Sequence, residues 1–412
     1  MTMQLINQTY QIQGLNVTDI CQQYNTPLYV YDGEVIIRQI NNLKESFTGV
    51  PLRIKFACKA LTNISVLKLM QTQGIGIDAV SVAEARQAIM AGFLPRDITF
   101  TSNGVDFSEI EEAVTLGISI NVDNLPTLAQ FGQTFGNTIP CCIRLKPNIR
   151  AGGNAKIQVG HERSKFGVPL AQLPDVQQLV QKYAMVINGL HIHTGSDILD
   201  PEAFIQGADV LFSAAKDFPD LQFIDFGGGF KVAYKQGDKT TNMPELGKKL
   251  TAAFQAFCQD YGRELEMWFE PGKYLVSESG TLFVKTNQVK TTPGVTFVQV
   301  NSGLNHLIRP MMYDAYHEIV NVSNPEGELH NYDVVGYICE TDTLGTDRSL
   351  NEVRANDLLA IRNAGAYGFT MSSQYNGRFR PAEVLIYNGR AHLVRQRETI
   401  EDIFRNQILV DF

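Results

Sequence analysis

Between residues 50 and 275 short apolar runs alternate with longer amphipathic stretches. The runs fall at 53–57, 76–79, 98–102, 118–122, 141–145, 187–193, 223–226 and 267–270, each of a length suited to a buried strand. The stretches at 82–91, 107–116, 125–135, 172–183, 201–217 and 244–261 place apolar residues at helical spacing. Eight strands alternating with helices predict an α/β fold, a closed (β/α)8 barrel of the TIM type. An open doubly wound sheet would read the same way, because periodicity does not specify closure. Beyond about 275 the texture changes. Strands fit 281–290, 296–301, 332–338, 357–362, 382–387 and 390–395, and long helical periods become scarce. The expected organisation is a barrel over 27–275 and a mostly-β domain formed by 1–26 and 276–412.

Composition narrows the class. With 412 residues, 44% of them hydrophobic and 19% charged, the chain is long enough for two cored domains. A net charge of −8 speaks against nucleic acid as a partner, since phosphate backbones demand basic surfaces. No run approaches the roughly 20 apolar residues of a membrane helix, and the first residues lack a leader pattern, so no membrane and a cytoplasmic location are expected. The six cysteines contain no C-x-x-C pair, so neither zinc nor a disulfide framework is expected.

The candidate chemistry lies where strands end. In a (β/α)8 barrel the active site is built at the C-terminal ends of the strands. Lys59 follows the first run, His193 and Ser196 the sixth, Gly227-Gly228-Gly229 the seventh, and Glu270 the eighth. Each has a bland explanation: a solvated lysine, a turn of glycines, an ordinary Glu-Pro-Gly corner. His191 and His193 could also form a metal pair, but no third ligand stands at a recognisable spacing and no metal is expected. Taken together they supply an amine for a Schiff base, a carboxylate for a pyridine nitrogen, an imidazole to stack on a ring, and bare backbone for a phosphate.

With these motifs in order, the chain resembles the pyridoxal-phosphate (PLP) decarboxylases of the alanine-racemase fold, and among them the diaminopimelate decarboxylases. The likeness rests on 56–59, 78–84, 164–167, 191–196, 225–230, 270–272, Cys339-Glu340 and 371–383, and spans about nine-tenths of the chain. It implies PLP as cofactor, with Lys59 as its Schiff-base amine, Glu270 on the pyridine nitrogen and His193 on the ring face. Ser196, Gly228, Gly229 and Tyr375 would hold the phosphate, and Arg144 would lie near the ring. The resemblance also implies a homodimer with shared sites, in which Cys339 from one subunit returns a proton to the product of the other.

The implied substrate is meso-2,6-diaminopimelate, decarboxylated to L-lysine. Arg309 and Tyr313 would bind its distal carboxylate and Glu340 its distal ammonium, with Tyr375 also touching substrate. Ornithine, arginine or carboxynorspermidine are the alternative substrates. Arg309 disfavours a distal cation, because a guanidinium pairs with carboxylates and repels cations. A non-catalytic amino-acid or polyamine-binding relative is the reading from another class, and the intact set of cofactor residues opposes it. One departure stands out: Lys273 follows Glu-Pro-Gly where these enzymes usually carry arginine, which keeps the charge but loses the fork. The glycine-bearing polar stretch 152–163 is a candidate closing loop.

Overall fold

A computed structural model describes residues 3–149, 164–235 and 237–412; the candidate loop 152–163 lies outside the described residues. The chain forms two compact units: 38–232 with 239–275, and 1–37 with 233–238 and 276–412.

Among the described residues the barrel of the first unit is built from eight parallel strands: β1 (Leu52–Ala57), β2 (Gly76–Ala79), β3 (Ile98–Phe100), β4 (Ser119–Val122), β5 (Cys141–Lys146), β6 (Ile187–Ile192), β7 (Phe223–Asp225) and β8 (Glu266–Phe269), with the two-residue strand Val168–Pro169 added beside β5. Each pairs in parallel with the next, β4 pairs with β5, and β8 pairs with β1. The sheet therefore closes, and the barrel rather than the open sheet is the fold. The helices between strands start where side chains can cap them. Asn63, Ser81, Asn124, Asp200 and Asn242 each accept a backbone N–H of the first turn, satisfying donors that the helix itself leaves open.

Packing follows the strand alternation. On β1, Ile54 and Phe56 are buried on the opposite face from Lys55. The helix side of β7 and β8 carries a phenylalanine cluster of Phe212, Phe226, Phe254, Phe257 and Phe269, with ring centroids 4.3 to 6.2 Å apart. Each such buried ring contributes about 1.5–3 kcal/mol. Inside the barrel the filling is not purely apolar. Phe223 and Trp268 stack at 3.5 Å, and above Trp268 lies the Lys55 amine, 4.0 Å from the ring and donating to Thr99 Oγ1 at 2.7 Å.

The second unit is mostly β, as the texture after residue 275 implies. Its sheet runs in the order Thr343–Asn351, Leu329–Val335, Val295–Val300, Gly280–Thr292, Leu28–Asp32, Ala382–Tyr387, Arg390–Arg395. The long strand Gly280–Thr292 organises it, also pairing with Leu358–Ile361. Leu28–Asp32 falls inside the segment assigned to the barrel from residue 27, yet it pairs antiparallel with Gly280–Thr292 and parallel with Ala382–Tyr387. All five of its residues are buried, and both its edges are paired within this sheet. Thr343–Asn351 was not expected as a strand. Its polar sequence hides the fact that Leu344, Gly345 and Leu350 are buried while Thr346, Asp347 and Ser349 are exposed.

Candidate active site

Parallel pairing brings the C-terminal ends of the eight barrel strands to one rim. β1 runs into a single tight turn, Cys58–Ala60, which carries Lys59. The Lys59 amine lies 3.8 Å from Oδ2 of Asp78, a buried carboxyl on β2. Burial and the nearby Glu270 push the Asp78 carboxyl up, and the Lys59 cation works against both.

Glu270 leaves β8 with its backbone N–H donating to Gly227 at 2.7 Å. Its side chain is buried; Oε2 lies 2.9 Å from His191 Nε2, and Thr101 Oγ1 donates to Oε1 at 3.4 Å. Burial alone would raise this carboxyl. His191, Lys59 and Arg144 outweigh burial and hold it well below the usual carboxylate range. Arg144, on β5, is buried with its guanidinium 4.6 Å from the Phe166 ring, and the carboxyls of Glu270, Asp123 and Asp78 surround it.

His193 and the glycines form the next arc. Nδ1 of His193 accepts from the Gly228 N–H at 3.2 Å, which fixes the imidazole plane. Burial, followed by the Arg144 and Lys59 cations, keeps the ring neutral by moving its pKa well below the ordinary value. Gly227 and Gly229 have φ of +66° and +105°, where a side chain is strained. A Cβ on Gly228 would fall 2.4 Å from the Glu270 carbonyl oxygen, and one on Gly229 would fall 2.3 Å from that of Gly195. Only glycine fits, and backbone is left bare beside the half-buried Ser196. Lys273 is buried, with its amine 2.5 Å from Asp197 Oδ1. That lysine is engaged in an ion pair, and a compact ammonium suits one carboxylate where a fork would want more acceptors.

Lys59, Arg144, His193, Glu270 and Gly227–Gly229 thus gather at one rim, with Ser196 in the adjoining loop. Two buried polar atoms at this rim, Asp78 Oδ1 and Thr194 Oγ1, have no hydrogen-bond partner among the described residues. An amine, a low-pKa carboxylate, a neutral imidazole, a bare glycine loop and unspent polar atoms together fit a flat, phosphorylated, aldehyde-bearing pyridine. Sequence reasoning missed Asp78 and Asp225 as members of this group. Asp225 is buried, and its Oδ1 accepts from Gly227 N–H at 2.8 Å. The available signal was a carboxylate at the end of an otherwise apolar run, at 76–79 and again at 223–225. His191, Asp225 and Glu270 have ligand atoms within 4.8 Å of one another, but His191 and Glu270 already pair directly.

The remaining candidates belong to the β unit. Cys339 is exposed, unlike the other five cysteines, so a buried inert thiol is excluded for it. Asn376 Nδ2 donates to its sulfur at 3.2 Å, and Tyr375 Oη donates to Glu340 Oε1 at 2.7 Å. The loop carrying Cys339 and Glu340 is anchored by the buried Asp342, which accepts from Leu304 N–H at 2.5 Å and Ile338 N–H at 2.8 Å. Arg309 opens a short helix, Arg309–Tyr313, with Tyr313 half-buried at its end. The Arg309 guanidinium is buried. It donates to Tyr234 Oη at 3.1 Å and to His317 Nε2 at 3.4 Å, and it forms no ion pair among the described residues.

His317 can play this part only when neutral. Its Nδ1–H donates to the Arg362 carbonyl at 2.9 Å, leaving Nε2 as the acceptor for Arg309. Burial and the Arg309 cation lower its pKa to about 3. The unfolded chain takes up this proton near 6.5. The stabilisation is therefore complete above pH 6.5 and lost as pH falls toward 3, at up to about 1.4 kcal/mol per pH unit. Urea melts from pH 7 to 5 should show a shallower loss of stability for His317→Gln than for the parent; equal slopes would contradict this assignment.

Comparison with known proteins agrees with the geometry. The sequence profile of the pyridoxal-dependent decarboxylase, pyridoxal binding domain, matches residues 34–277. The chain belongs to this family of PLP-dependent decarboxylases. It is 37% identical over 406 residues to the diaminopimelate decarboxylase of Methanothermobacter thermautotrophicus, covering 96% of this chain and 95% of that one. It is 33% identical over 413 residues to that of Escherichia coli, covering 96% of each. The crystal structure of diaminopimelate decarboxylase from Helicobacter pylori complexed with L-lysine superposes with a TM-score of 0.88 at 34% identity, covering 95% of this chain and 98% of that one. Within the family its place is among the diaminopimelate decarboxylases. Among the described residues, no helix is long and apolar enough to cross a membrane.

Proposed function

We propose that the chain decarboxylates meso-2,6-diaminopimelate to L-lysine and CO2, the last step of lysine formation. PLP, when bound, supplies an electron sink for the bond between Cα and the departing carboxylate. Lys59 holds the cofactor covalently, and its amine also serves to move a proton near Cα. Glu270, kept anionic by its surroundings, pairs with the pyridine nitrogen. His193, held in plane by Gly228, covers one ring face. Ser196 and the N–H groups of Gly228 and Gly229, with Tyr375, bind the phosphate. Arg144 lies near the ring as a fixed cation. Lys273, paired with Asp197, lines the substrate end.

The observation that carries the substrate assignment is Arg309. A buried guanidinium held by two neutral groups, Tyr234 and His317, lacks a carboxylate among the described residues. Burying a charge without a counter-ion is costly, and a distal substrate carboxylate would supply that counter-ion. Tyr313 supports the same end of the substrate, and Glu340 takes the distal ammonium. The working unit is a homodimer with shared sites, in which Cys339 of one copy returns the proton to Cα at the barrel of the other. The exposure of that thiol supports this reading.

The experiment is CO2 release from a substrate panel. Diaminopimelate should exceed ornithine, arginine and carboxynorspermidine by at least about 100-fold in kcat/KM, the worth of one well-made buried charge pair. A faster rate with ornithine would overturn the substrate assignment.

A further inference from the structure

We infer that His191 is a positioning residue: as a neutral imidazole with its hydrogen on Nε2, it donates to Oε2 of Glu270, fixing that group as a carboxylate whose Oε1, met among the described residues only by Thr101 at 3.4 Å, serves the pyridine nitrogen. The inference rests on the assignment of Glu270 to that nitrogen.

The strand register builds the contact. His191 on β6 lies beside Asp225 on β7, which lies beside Trp268 on β8, and Glu270 follows two residues later. His191 therefore reaches across the end of β7 to meet Glu270 at 2.9 Å, with both side chains buried. The protonation state follows from the other nitrogen. Nδ1 of His191 is buried and has no partner among the described residues. An imidazolium would leave an ionised N–H donor unsatisfied there, whereas the neutral ring leaves only a lone pair, a smaller cost. The charged groups facing the pair divide. Burial lowers the His191 pKa; Glu270 favours a charge on the ring, and the Arg144 and Lys59 cations oppose it. Lys55 approaches from below, while Asp78 and Asp225 supply the remaining carboxyls. Burial, then the proximity of Glu270, pushes the Asp225 carboxyl well up, while the Gly227 N–H that it accepts works against both.

The arrangement assigns His191 a job distinct from that of His193. His193 serves the cofactor directly, while His191 acts through Glu270. A carboxyl with no donor on Oε2 could rotate, or share a proton with Asp225, and would then lose the negative charge that a pyridinium requires.

The test uses holoenzyme loaded with PLP carrying nitrogen-15 in its ring. In the parent the ring nitrogen should show the chemical shift of a protonated pyridine. In His191→Phe the shift should move toward the unprotonated value and the PLP dissociation constant should rise about 10-fold or more, the loss expected for one hydrogen bond to a charged group. His191→Gln, which keeps an N–H donor, should recover most of both. If the Phe variant does not fold, His191→Ala carries the same expectation. A parental ring-nitrogen shift and parental PLP affinity in a folded Phe or Ala variant would overturn the inference. Glu270→Ala separates the two claims. If it too keeps the protonated shift, the assignment of Glu270 itself fails. If it alone loses that shift, only the role of His191 fails.

Discussion

Lys59→Ala should lower CO2 release by about 10⁴-fold, about 5 kcal/mol of barrier, while the barrel remains folded. The expectation follows from what the amine does and from what surrounds it. Lys59 sits on the turn after β1, partly open to solvent and 3.8 Å from Asp78. Its loss removes both the covalent anchor and the nearest proton carrier, and each such role is worth roughly 10²–10⁴ in rate. Folding should survive, because the side chain is 46% exposed and its replacement opens no core cavity. The variant should also lose the yellow colour of the bound cofactor. Retained activity within ten-fold of the parent would remove Lys59 from the mechanism.

Arg309→Ala should cost the second largest factor, about 10²–10³ in kcat/KM for diaminopimelate. It should leave the slow turnover of substrates without a distal carboxylate nearly unchanged. The asymmetry separates substrate recognition from general damage. Unfolding would depress all substrates together, whereas removal of a carboxylate partner depresses only the one that brings a carboxylate. Arg309→Lys should recover little, because Tyr234 and His317 hold a planar fork that an ammonium does not reproduce. An equal fall for every substrate would return Arg309 to a purely structural role.

Much of the barrel was legible because its physics is local. Strands such as Leu52–Ala57, buried on both faces from Ile54 onward, and Cys141–Lys146, buried through Leu145, are revealed by short apolar runs between helical periods. Lys59, His193 and Glu270 were legible because a charged or polar group at the end of such a run must emerge on the functional rim. The barrel interior was less so. Whether Lys55, Asp225 and Asp78 are buried and mutually compensating depends on neighbours across the barrel, which the motifs at 78–84 and 225–230 do not reveal. The Lys55 amine is drawn down to about 8 by burial despite the acids near it, a consequence of closure that no window of residues contains. The strand Leu28–Asp32 escaped for a similar reason. Its partners lie some 250 and 350 residues away, at Gly280–Thr292 and Ala382–Tyr387, and its apolar pattern would suit either unit. Lys273 illustrates the reverse case: the departure from arginine was visible in the sequence, but its compensation by Asp197 appears only where the ion pair forms.

The central claim is that one particular amine carries the cofactor, and the chain offers a demanding control. Lys55 lies on the strand that leads into that turn, buried and with a depressed pKa, so it too is a nucleophile on chemical grounds alone. Holoenzyme reduced with borohydride, digested and read by mass spectrometry should carry the reduced cofactor on Lys59 and no other lysine. A reduced adduct on Lys55 or Lys273, or none at all in yellow protein, would contradict the account.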